Sequence, residues 1–244
     1  MSAHTHQHAM TIKVYNRSIS VLFPSTCILC GAPGREAMEL CESCHADLPH
    51  NRHRCRRCTL PLPAAAPAGS LCGTCQRRPP VYDRCIAPFR YEGTLPHLVT
   101  GLKFQARMNC ARLLGTLLTA GLEKAAAELP EVIIPVPLHP TRLRERGFNQ
   151  ALEIARIPAR HFGLPIDTHH CRRQFATAPQ SGLEAKERRR NIRGAFAVAD
   201  GLASRYVVLL DDVVTTGSTV AELARMLKRA GVERVEVWAV AKTP

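Results

Sequence analysis

The chain has 244 residues, of which 45% are hydrophobic, and its 33 Lys and Arg outnumber 20 Asp and Glu to give a formal net charge of +13. This composition suits a globular chain with room for one core domain and a smaller module, and the excess positive charge predicts polyanionic partners. No stretch approaches the roughly 20 apolar residues that cross a bilayer, and the first ten residues lack the apolar centre of a secretion signal, so we predict a cytoplasmic protein without a membrane span.

Residues 1–20 form a polar leader that begins MSAHTHQHAM. The alternating His4, His6 and His8 are compatible with a metal-binding tail. Because the segment has no hydrophobic periodicity, we predict that it is a disordered leader.

Eight of the eleven cysteines form four CxxC pairs: Cys27/Cys30, Cys41/Cys44, Cys55/Cys58 and Cys72/Cys75. Each pair can hold one side of a metal ion, and two pairs complete the tetrahedral sulfur shell that Zn2+ prefers, so the eight thiolates predict two structural zinc sites. Pairing in sequence order leaves loops of ten and thirteen residues, which are typical of zinc ribbons, but interleaved pairing also fits. Disulfides are the alternative, which the odd cysteine total and the missing secretion signal disfavour.

A run of two arginines and two prolines, residues 77–80, closes the cysteine-rich region and predicts a domain boundary. We predict a double zinc ribbon at residues 21–78, which is too short for a large core and depends on its metals. Residues 82–244 are then the second domain. The remaining cysteines have no partner in sequence and are predicted to be buried thiols; they are Cys85, Cys110 and Cys171.

Apolar strands alternate with helical patterns after residue 82, which predicts an α/β fold with a central parallel sheet. The predicted strands are Cys85–Tyr91, Val132–Val136, Tyr206–Leu210 and Val232–Val240. The predicted helices are Leu95–Leu102, Cys110–Glu128, Asn149–Phe162 and a helix that includes Val220 and Leu227 and stops at Gly231.

The most informative motif is VVLLDDVVTTGST, residues 207–219. Its aliphatic strand indicates a place in the middle of the sheet, and Asp211 and Asp212 then fall at the carboxyl end, where α/β sheets bind ligands. Two carboxylates there can accept vicinal hydroxyls or bind hydrated Mg2+. The next residues open into a helix whose first amides favour a phosphate; they are Thr215, Thr216, Gly217, Ser218 and Thr219.

Two other interpretations of this motif remain. A Walker B strand is one, but no GxxxxGK[ST] motif accompanies it. An ordinary core strand followed by a capped helix also fits the local sequence.

The motif resembles the ribose phosphate signature of type I phosphoribosyltransferases. Two further segments, IPVPLHPTRLRERGFNQA at 134–151 and QSGLEAKERRRNIRGAF at 180–196, together with the cysteine-rich beginning, resemble the ComF family of competence-associated proteins, including its GntX-like members. The resemblance covers residues 27 to 242 and implies a type I phosphoribosyltransferase-like parallel-sheet domain after a small double zinc ribbon module.

This resemblance implies the ligand and its contacts. Asp211 and Asp212 would hold the ribose of 5-phosphoribosyl 1-pyrophosphate (PRPP), and residues 215–219 its 5′ phosphate. The leaving pyrophosphate, with Mg2+, would bind the loop formed by Val136, Pro137 and Leu138.

Three basic side chains are candidates to neutralise the pyrophosphate: Arg142, Arg146 and Lys103. The run TRLRER is equally compatible with a solvated charged surface before a helix. Family members with this fold carry a flexible hood where residues 180–193 stand, and that stretch is compatible with either a basic loop or a solvated helix.

The implied activity is phosphoribosyl transfer, a glycosyltransferase reaction, to an unidentified acceptor. No strong general base is evident, and His139 is a position to test. The competing hypothesis is a non-catalytic competence factor that binds single-stranded DNA and retains a ribose phosphate pocket. The charge fits it, whereas the aromatic residues, 5% of the chain, do not cluster into stacking platforms. A third hypothesis has the ribbons docking a protein of the DNA-uptake machinery.

Overall fold

The computed structural model describes residues 25–35, 38–125, 128–175, 192 and 194–244. The chain divides into two compact units, residues 1–48 and 49–244. This division falls between the second and third CxxC pairs, so the domain limits 21–78 and 82–244 stay a prediction. The leader 1–20 lies outside the described residues, as does the hood segment 180–193 apart from Ile192, which is buried.

The first unit is organised around four cysteines and one short helix, α1 (Glu42–Ala46). The turn at Cys27 is closed by its N–H, which donates to the Ala32 carbonyl at 2.8 Å. Its buried aliphatic side chains among the described residues are Leu40 and Leu48. So small a core cannot hold a fold together by apolar burial alone.

The second unit contains a parallel sheet, a two-stranded antiparallel pair and six described helices. The strands are β1 (Arg84–Ile86), β2 (Phe89–Arg90), β3 (Val132–Pro135), β4 (Cys171–Arg173), β5 (Phe196–Val198), β6 (Tyr206–Val214) and β7 (Arg234–Lys242). The helices are α2 (Gly73–Arg77), α3 (Leu95–Gln105), α4 (Met108–Glu123), α5 (Pro140–Arg146), α6 (Gln150–Phe162) and α7 (Ser218–Arg229). The sheet order is β1-β7-β6-β3 with every pair parallel, β2 also pairs with β7, and β4 pairs with β5.

The sheet core follows from the alternation of side chains along β6. Val207 and Leu209 pack with Leu223 of α7 in one buried cluster. Val208 and Leu210, which are fully buried, therefore point to the opposite face. A strand covered on both faces is the arrangement that its uninterrupted aliphatic sequence predicts.

β3 ends one residue before its predicted bound, and β7 begins and ends two residues after its predicted bounds. The other two predicted strands differ more. β6 continues four residues past Leu210, because its ladder with β7 still pairs Asp211 with Ala239 and Val213 with Ala241. The predicted strand Cys85–Tyr91 is interrupted between β1 and β2, since proline lacks the N–H that a ladder needs. At this break the Pro88 carbonyl accepts a hydrogen bond from the Asn51 N–H at 2.7 Å, outside the ladder of the sheet.

The last two CxxC pairs lie against the β1 edge of the sheet. The Cys85 N–H donates to the Arg57 carbonyl at 2.7 Å. Asn51, only 1% exposed, donates through its side chain to the Thr59 carbonyl at 2.8 Å. Within the residues that are described, no helix combines the length and apolarity needed to cross a bilayer.

Candidate functional site

A cleft of about 500 Å³ lies where β3 and β6 end. It brings together twelve of the thirteen site residues predicted outside the cysteines: Lys103, Val136, Pro137, Leu138, Arg142, Arg146, Asp211, Asp212, Thr215, Gly217, Ser218 and Thr219. Thr216 does not line this cleft; it lines a second cavity behind the loop. The carboxyl edge of the sheet therefore gathers acidic, basic and hydroxyl side chains into one place.

Asp212 is a buried acid of the cleft, with 3% of its surface exposed. Its Oδ2 forms an ion pair with Lys103 Nζ, and its Oδ1 accepts from Gln150 Nε2 at 3.4 Å. Arg146 donates in turn to Gln150 Oε1. The arrangement fixes two cations from helices α3 and α5 beside the acids.

Asp211 is less buried than Asp212 and accepts from the Asp212 N–H at 2.9 Å. Burial, followed by the negative charge of Asp212, raises the pKa of Asp211 well above its ordinary value. Burial alone would also raise the pKa of Asp212, but the charge of Lys103 and its hydrogen bonds outweigh it and lower that pKa. Within the pair, Asp212 therefore ionises more readily than Asp211.

The raised pKa of Asp211 makes the effect of Asp211→Asn on stability depend on pH. A carboxyl whose folded-state pKa is raised stabilises the fold below its unfolded value of about 3.9, and that contribution is lost as pH rises through the folded-state pKa. Asn does not titrate, so we expect Asp211→Asn to melt several degrees above the wild type at pH 7 and at the same temperature near pH 4. Differential scanning calorimetry across this range measures the difference.

The matched control is Asp200→Asn, because Asp200 is exposed in a turn. Its melting temperature should follow the wild type at every pH. Parallel pH profiles for Asp211→Asn and wild type would contradict the raised pKa of Asp211.

The loop after β6, defined here as the phosphate loop (Thr215–Thr219), leads directly into α7. Gly217 is the N-cap of α7 with φ 75° and has no side chain to cap the helix. Thr216 Oγ1 accepts from the Ser218 N–H at 3.4 Å and is hydrogen bonded to Ser218 Oγ at 2.8 Å. The N-terminal residues of α7 line the cleft, and the backbone N–H groups at a helix N-terminus attract an anion.

The loop after β3 adds one hydrogen bond to the β3–β6 ladder, in which the Val136 N–H donates to the Leu210 carbonyl at 2.8 Å. The Val136 carbonyl accepts from Asn149 Nδ2 at 3.1 Å, and Asn149 also caps α6 through the Ala151 N–H. His139 caps α5 by accepting from the Thr141 N–H at 3.3 Å. This cap gives His139 a structural role and explains why the charge run TRLRER forms a short helix.

Several lining residues of the cleft were not among the predicted site residues, including Tyr91, Phe104, Gln150 and Arg173. Arg146 ends α5 and Gln150 begins α6, so helical spacing did not predict their contact. Arg173 comes from β4, a strand too short to show periodicity. Burial lowers the pKa of Arg173, and Asp211 opposes that lowering.

The cysteines form two groups of four, Cys27/Cys30/Cys41/Cys44 and Cys55/Cys58/Cys72/Cys75, which settles the pairing as sequential. In each group the Sγ atoms lie within 4.8 Å of one another, and the Cys30–Cys41 and Cys58–Cys72 pairs approach to 3.6 Å. Zn–S bonds of about 2.3 Å in a tetrahedron give S–S edges of roughly 3.8 Å, so both groups fit zinc. The remaining predicted thiols, Cys85, Cys110 and Cys171, are buried as expected.

Comparison with known proteins agrees with these features. A family model described as a double zinc ribbon domain matches residues 18–86. DNA utilization protein YhgH of Escherichia coli O157:H7 is 36% identical over 225 residues, which cover 90% of this chain and 98% of the relative. Competence protein F of Haemophilus influenzae is 36% identical over 178 residues, covering 70% of this chain and 78% of the relative. The chain belongs to the ComF family.

More distant matches complete the comparison of this ComF-family chain. Competence protein ComFC of Bacillus subtilis is 24% identical over 200 residues, covering 79% of each chain. A purine phosphoribosyltransferase from Pyrococcus horikoshii is 17% identical, with a TM-score of 0.34, 55% of this chain covered and 73% of the other. TT1426 from Thermus thermophilus is 22% identical, with a TM-score of 0.31 and coverages of 55% and 83%. The predicted family, the parallel-sheet α/β fold class and the structural zinc sites are confirmed.

Proposed function

We propose that this ComF-family chain binds PRPP with Mg2+ in the cleft and serves the use of external DNA in the cytoplasm. The observation that carries the proposal is the cleft itself. It combines two adjacent acids, the N-terminus of α7 and the basic side chains of Lys103, Arg142 and Arg146. A ribose with phosphate groups at both ends presents the complementary groups.

Each part of PRPP then has a partner. The phosphate loop holds the 5′ phosphate with its amides and hydroxyls. Asp211, the more exposed acid, accepts the ribose hydroxyls, while Asp212 holds Lys103 in place. The Val136–Leu138 loop, Arg142 and Arg146 bind the pyrophosphate.

The residues present also suit the reaction that would follow. Displacement at C1′ develops positive charge on the ribose and negative charge on the departing pyrophosphate. The acids stabilise the first, and Lys103 and the arginines neutralise the second. Mg2+ bound to the pyrophosphate would add neutralising charge, and Asp211 is the carboxylate available to hold it. His139 lines the cleft, but its Nδ1 accepts from the Thr141 N–H, so we propose no role for it as the base.

Isothermal titration calorimetry with PRPP and Mg2+ tests the proposal. We expect saturable binding, with weaker binding of ribose 5-phosphate and of pyrophosphate, since each fills half of the cleft. Pyrophosphate release measured across candidate bases then separates a transferase from a binder. The absence of any PRPP binding by the zinc-loaded protein would refute the proposal.

Gly217→Ala should weaken ribose 5-phosphate binding about tenfold or more. At φ 75° a residue with a Cβ is strained, so the phosphate loop has to move, although the 3.4 Å from that Cβ to Tyr82 Oη is an ordinary contact. Titration calorimetry measures the affinity.

Gly163→Ala is a matched control, because Gly163 has φ 68° and open space where the Cβ would stand. Both variants carry a similar backbone penalty. Equal affinities of the two variants for ribose 5-phosphate would show that the phosphate loop does not bind this phosphate.

A second function, binding of single-stranded DNA, is favoured by a basic cavity of about 810 Å³ outside the cleft. Six basic residues line it: Arg52, His53, Arg54, Arg56, Arg57 and Arg84. Arg52 and Arg56 are exposed, whereas Arg54 and Arg57 donate to backbone carbonyls at 2.7 and 3.2 Å. Names of relatives, "DNA utilization" and "competence", fit such a surface.

Replacing Arg52 and Arg56 by Ala tests the DNA hypothesis. Each lost phosphate contact lowers the slope of log affinity against log salt by about 0.7 for a single strand. Fluorescence anisotropy with an oligonucleotide should therefore show a slope smaller by roughly 1.4, with PRPP binding unchanged. An unchanged slope would exclude this cavity as the DNA site.

A further inference from the structure

The second cavity, behind the phosphate loop, is a groove of about 1630 Å³ that we call the α7 groove. One part of its lining comes from α7, and another comes from residues 77–82, which contain the Arg-Arg-Pro-Pro run. It also reaches three cysteines of the second zinc cluster (Cys55, Cys58, Cys72 and Cys75). The groove therefore joins the ribbon region to the helix that follows the phosphate loop.

The face of α7 that lines the groove combines charge with an apolar contact. Helical spacing places Arg225, Met226 and Arg229 on this face, while Leu223 is fully buried in the core cluster. Met226 packs against the same cluster but is only partly buried, so its flexible thioether side chain can contact an apolar group in the groove. Arg229 is exposed, and Arg225 forms an ion pair with Glu222.

Residues 77–82 bring two further arginines to the groove. Arg77 and Arg78 are exposed, and the Arg78 N–H closes the end of α2. The two prolines that follow have restricted backbones. Arg57 Nη2 donates to the carbonyls of Pro80 and Tyr82 at 3.2 Å each. This segment is therefore held in place while its arginine side chains remain accessible.

The charges that line the groove are mostly positive. Among the described lining residues, four arginines and Lys242 stand against a single acidic side chain, that of Glu222. Arg77, Arg78 and Arg229 form no ion pair with the part of the chain that the structure describes. A complementary occupant therefore carries several negative charges.

The apolar lining favours a polypeptide over a nucleic acid. Val81 and Met226 offer aliphatic and thioether surface. The two aromatic rings among the described lining residues, Tyr82 and Phe196, are 3% and 2% exposed, so neither presents an open face on which a base could stack. Single-stranded nucleic acids are bound through such stacking faces together with positive charge. Aliphatic side chains of a peptide need no stacking face.

We propose that the α7 groove docks a segment of a partner protein in which acidic residues alternate with aliphatic ones. Its carboxylates pair with the arginines of α7 and of residues 77–82, and its aliphatic side chains pack against Met226 and Val81. Protein docking by the ribbon region then has a location, at the end of the ribbon and along α7. This interaction does not depend on PRPP.

Fluorescence anisotropy with a labelled peptide that alternates Asp with Leu tests this docking on the full-length, zinc-loaded protein. We expect saturable binding. A peptide that alternates Asp with Ser keeps the charge without the apolar groups, and one that alternates Lys with Leu reverses the charge. Both should bind about tenfold or more weakly than the Asp–Leu peptide, because each lacks one of the two complementary features.

Reversing one charge on each lining segment, Arg78→Glu with Arg229→Glu, should weaken the Asp–Leu peptide about tenfold or more. The same variant should bind the Lys–Leu peptide more tightly than the wild type does, a gain that unfolding cannot produce. Arg160→Glu with Arg172→Glu is the matched control. It changes the net charge equally at exposed arginines that do not line the α7 groove, and it should bind both peptides as the wild type does.

The inference is wrong if the wild type does not bind the Asp–Leu peptide, or if the control variant loses as much affinity as Arg78→Glu with Arg229→Glu. Tighter binding of an oligothymidine, lost in Arg78→Glu with Arg229→Glu, would assign the groove to nucleic acid instead. Dimerisation in sedimentation runs that this variant abolishes, without peptide binding, would assign it to a second copy of the chain. PRPP binding is measured separately, so a failure there refutes the proposed function and leaves the peptide result unchanged.

Discussion

Replacing both Asp211 and Asp212 by Asn is expected to lower the affinity for PRPP with Mg2+ at least about a hundredfold. The contact of Asp211 with the ribose and the ion pair of Asp212 with Lys103 are lost, and charge-assisted contacts of this kind contribute about 1.5–3 kcal/mol each. The change also releases Lys103, whose ion pair with Asp212 fixes it in the cleft. Titration calorimetry against wild type measures the loss.

The single variants divide this effect between two roles. Asp211→Asn removes the acid that faces the ligand and should weaken PRPP binding with Mg2+, while leaving the binding of pyrophosphate without Mg2+ close to wild type. Asp212→Asn should weaken both, because the Lys103 and Gln150 positions depend on it. Asp200→Asn, on an exposed turn, should bind as wild type does. If the double variant binds PRPP with wild-type affinity, Asp211 and Asp212 do not belong to the binding site.

The site was predictable where its chemistry is local in sequence. Residues 207–219 contain a strand, the acid pair, the hydroxyl-rich loop and the start of a helix in direct succession. This one segment therefore indicates the position of the strand in the sheet, the edge where a ligand binds and the beginning of α7. The CxxC spacing predicted the zinc ligands for the same reason. Their pairing stayed open because both arrangements satisfy the spacing, and only the three-dimensional structure shows that it is sequential.

The remaining contacts depend on long-range packing. Gln150 meets Asp212 across 62 positions of sequence, and Arg173 reaches the cleft from a strand of three residues. Lys242 looks like an ordinary terminal charge in sequence, yet it is buried against the Thr215 carbonyl. Such residues gain their roles from neighbours that a single sequence does not display.

The break between β1 and β2 could have been predicted from Pro88 alone, since a proline in a run that reads as a strand marks an edge or an interruption. The helix α5 was harder to predict. Its seven residues are rich in arginine and bury none of their side chains, so no apolar stripe distinguishes it from a solvated charge run.

Loss of the second zinc cluster should have the other large effect. Cys75→Ser should lower zinc content from two ions to one and unfold residues 49–78, because their buried cluster consists of three cysteines with a few leucines packed against it. Structural zinc contributes about 10–16 kcal/mol to such modules, far more than this small core. Inductively coupled plasma mass spectrometry counts the zinc, and limited proteolysis locates the unfolding.

The comparison with Cys30→Ser and Cys171→Ala makes this result specific. Cys30→Ser should also cost one zinc ion, but its unfolding should stay within residues 1–48, which form their own compact unit. Cys171 is a buried cysteine outside both clusters, so Cys171→Ala should keep two zinc ions. Because the Arg57 carbonyl pairs with the β1 edge at Cys85, unfolding in Cys75→Ser should also expose the Cys85 amide to exchange. If the Cys85 amide stays protected from exchange in Cys75→Ser, the β1 edge of the sheet keeps its structure without the second zinc cluster.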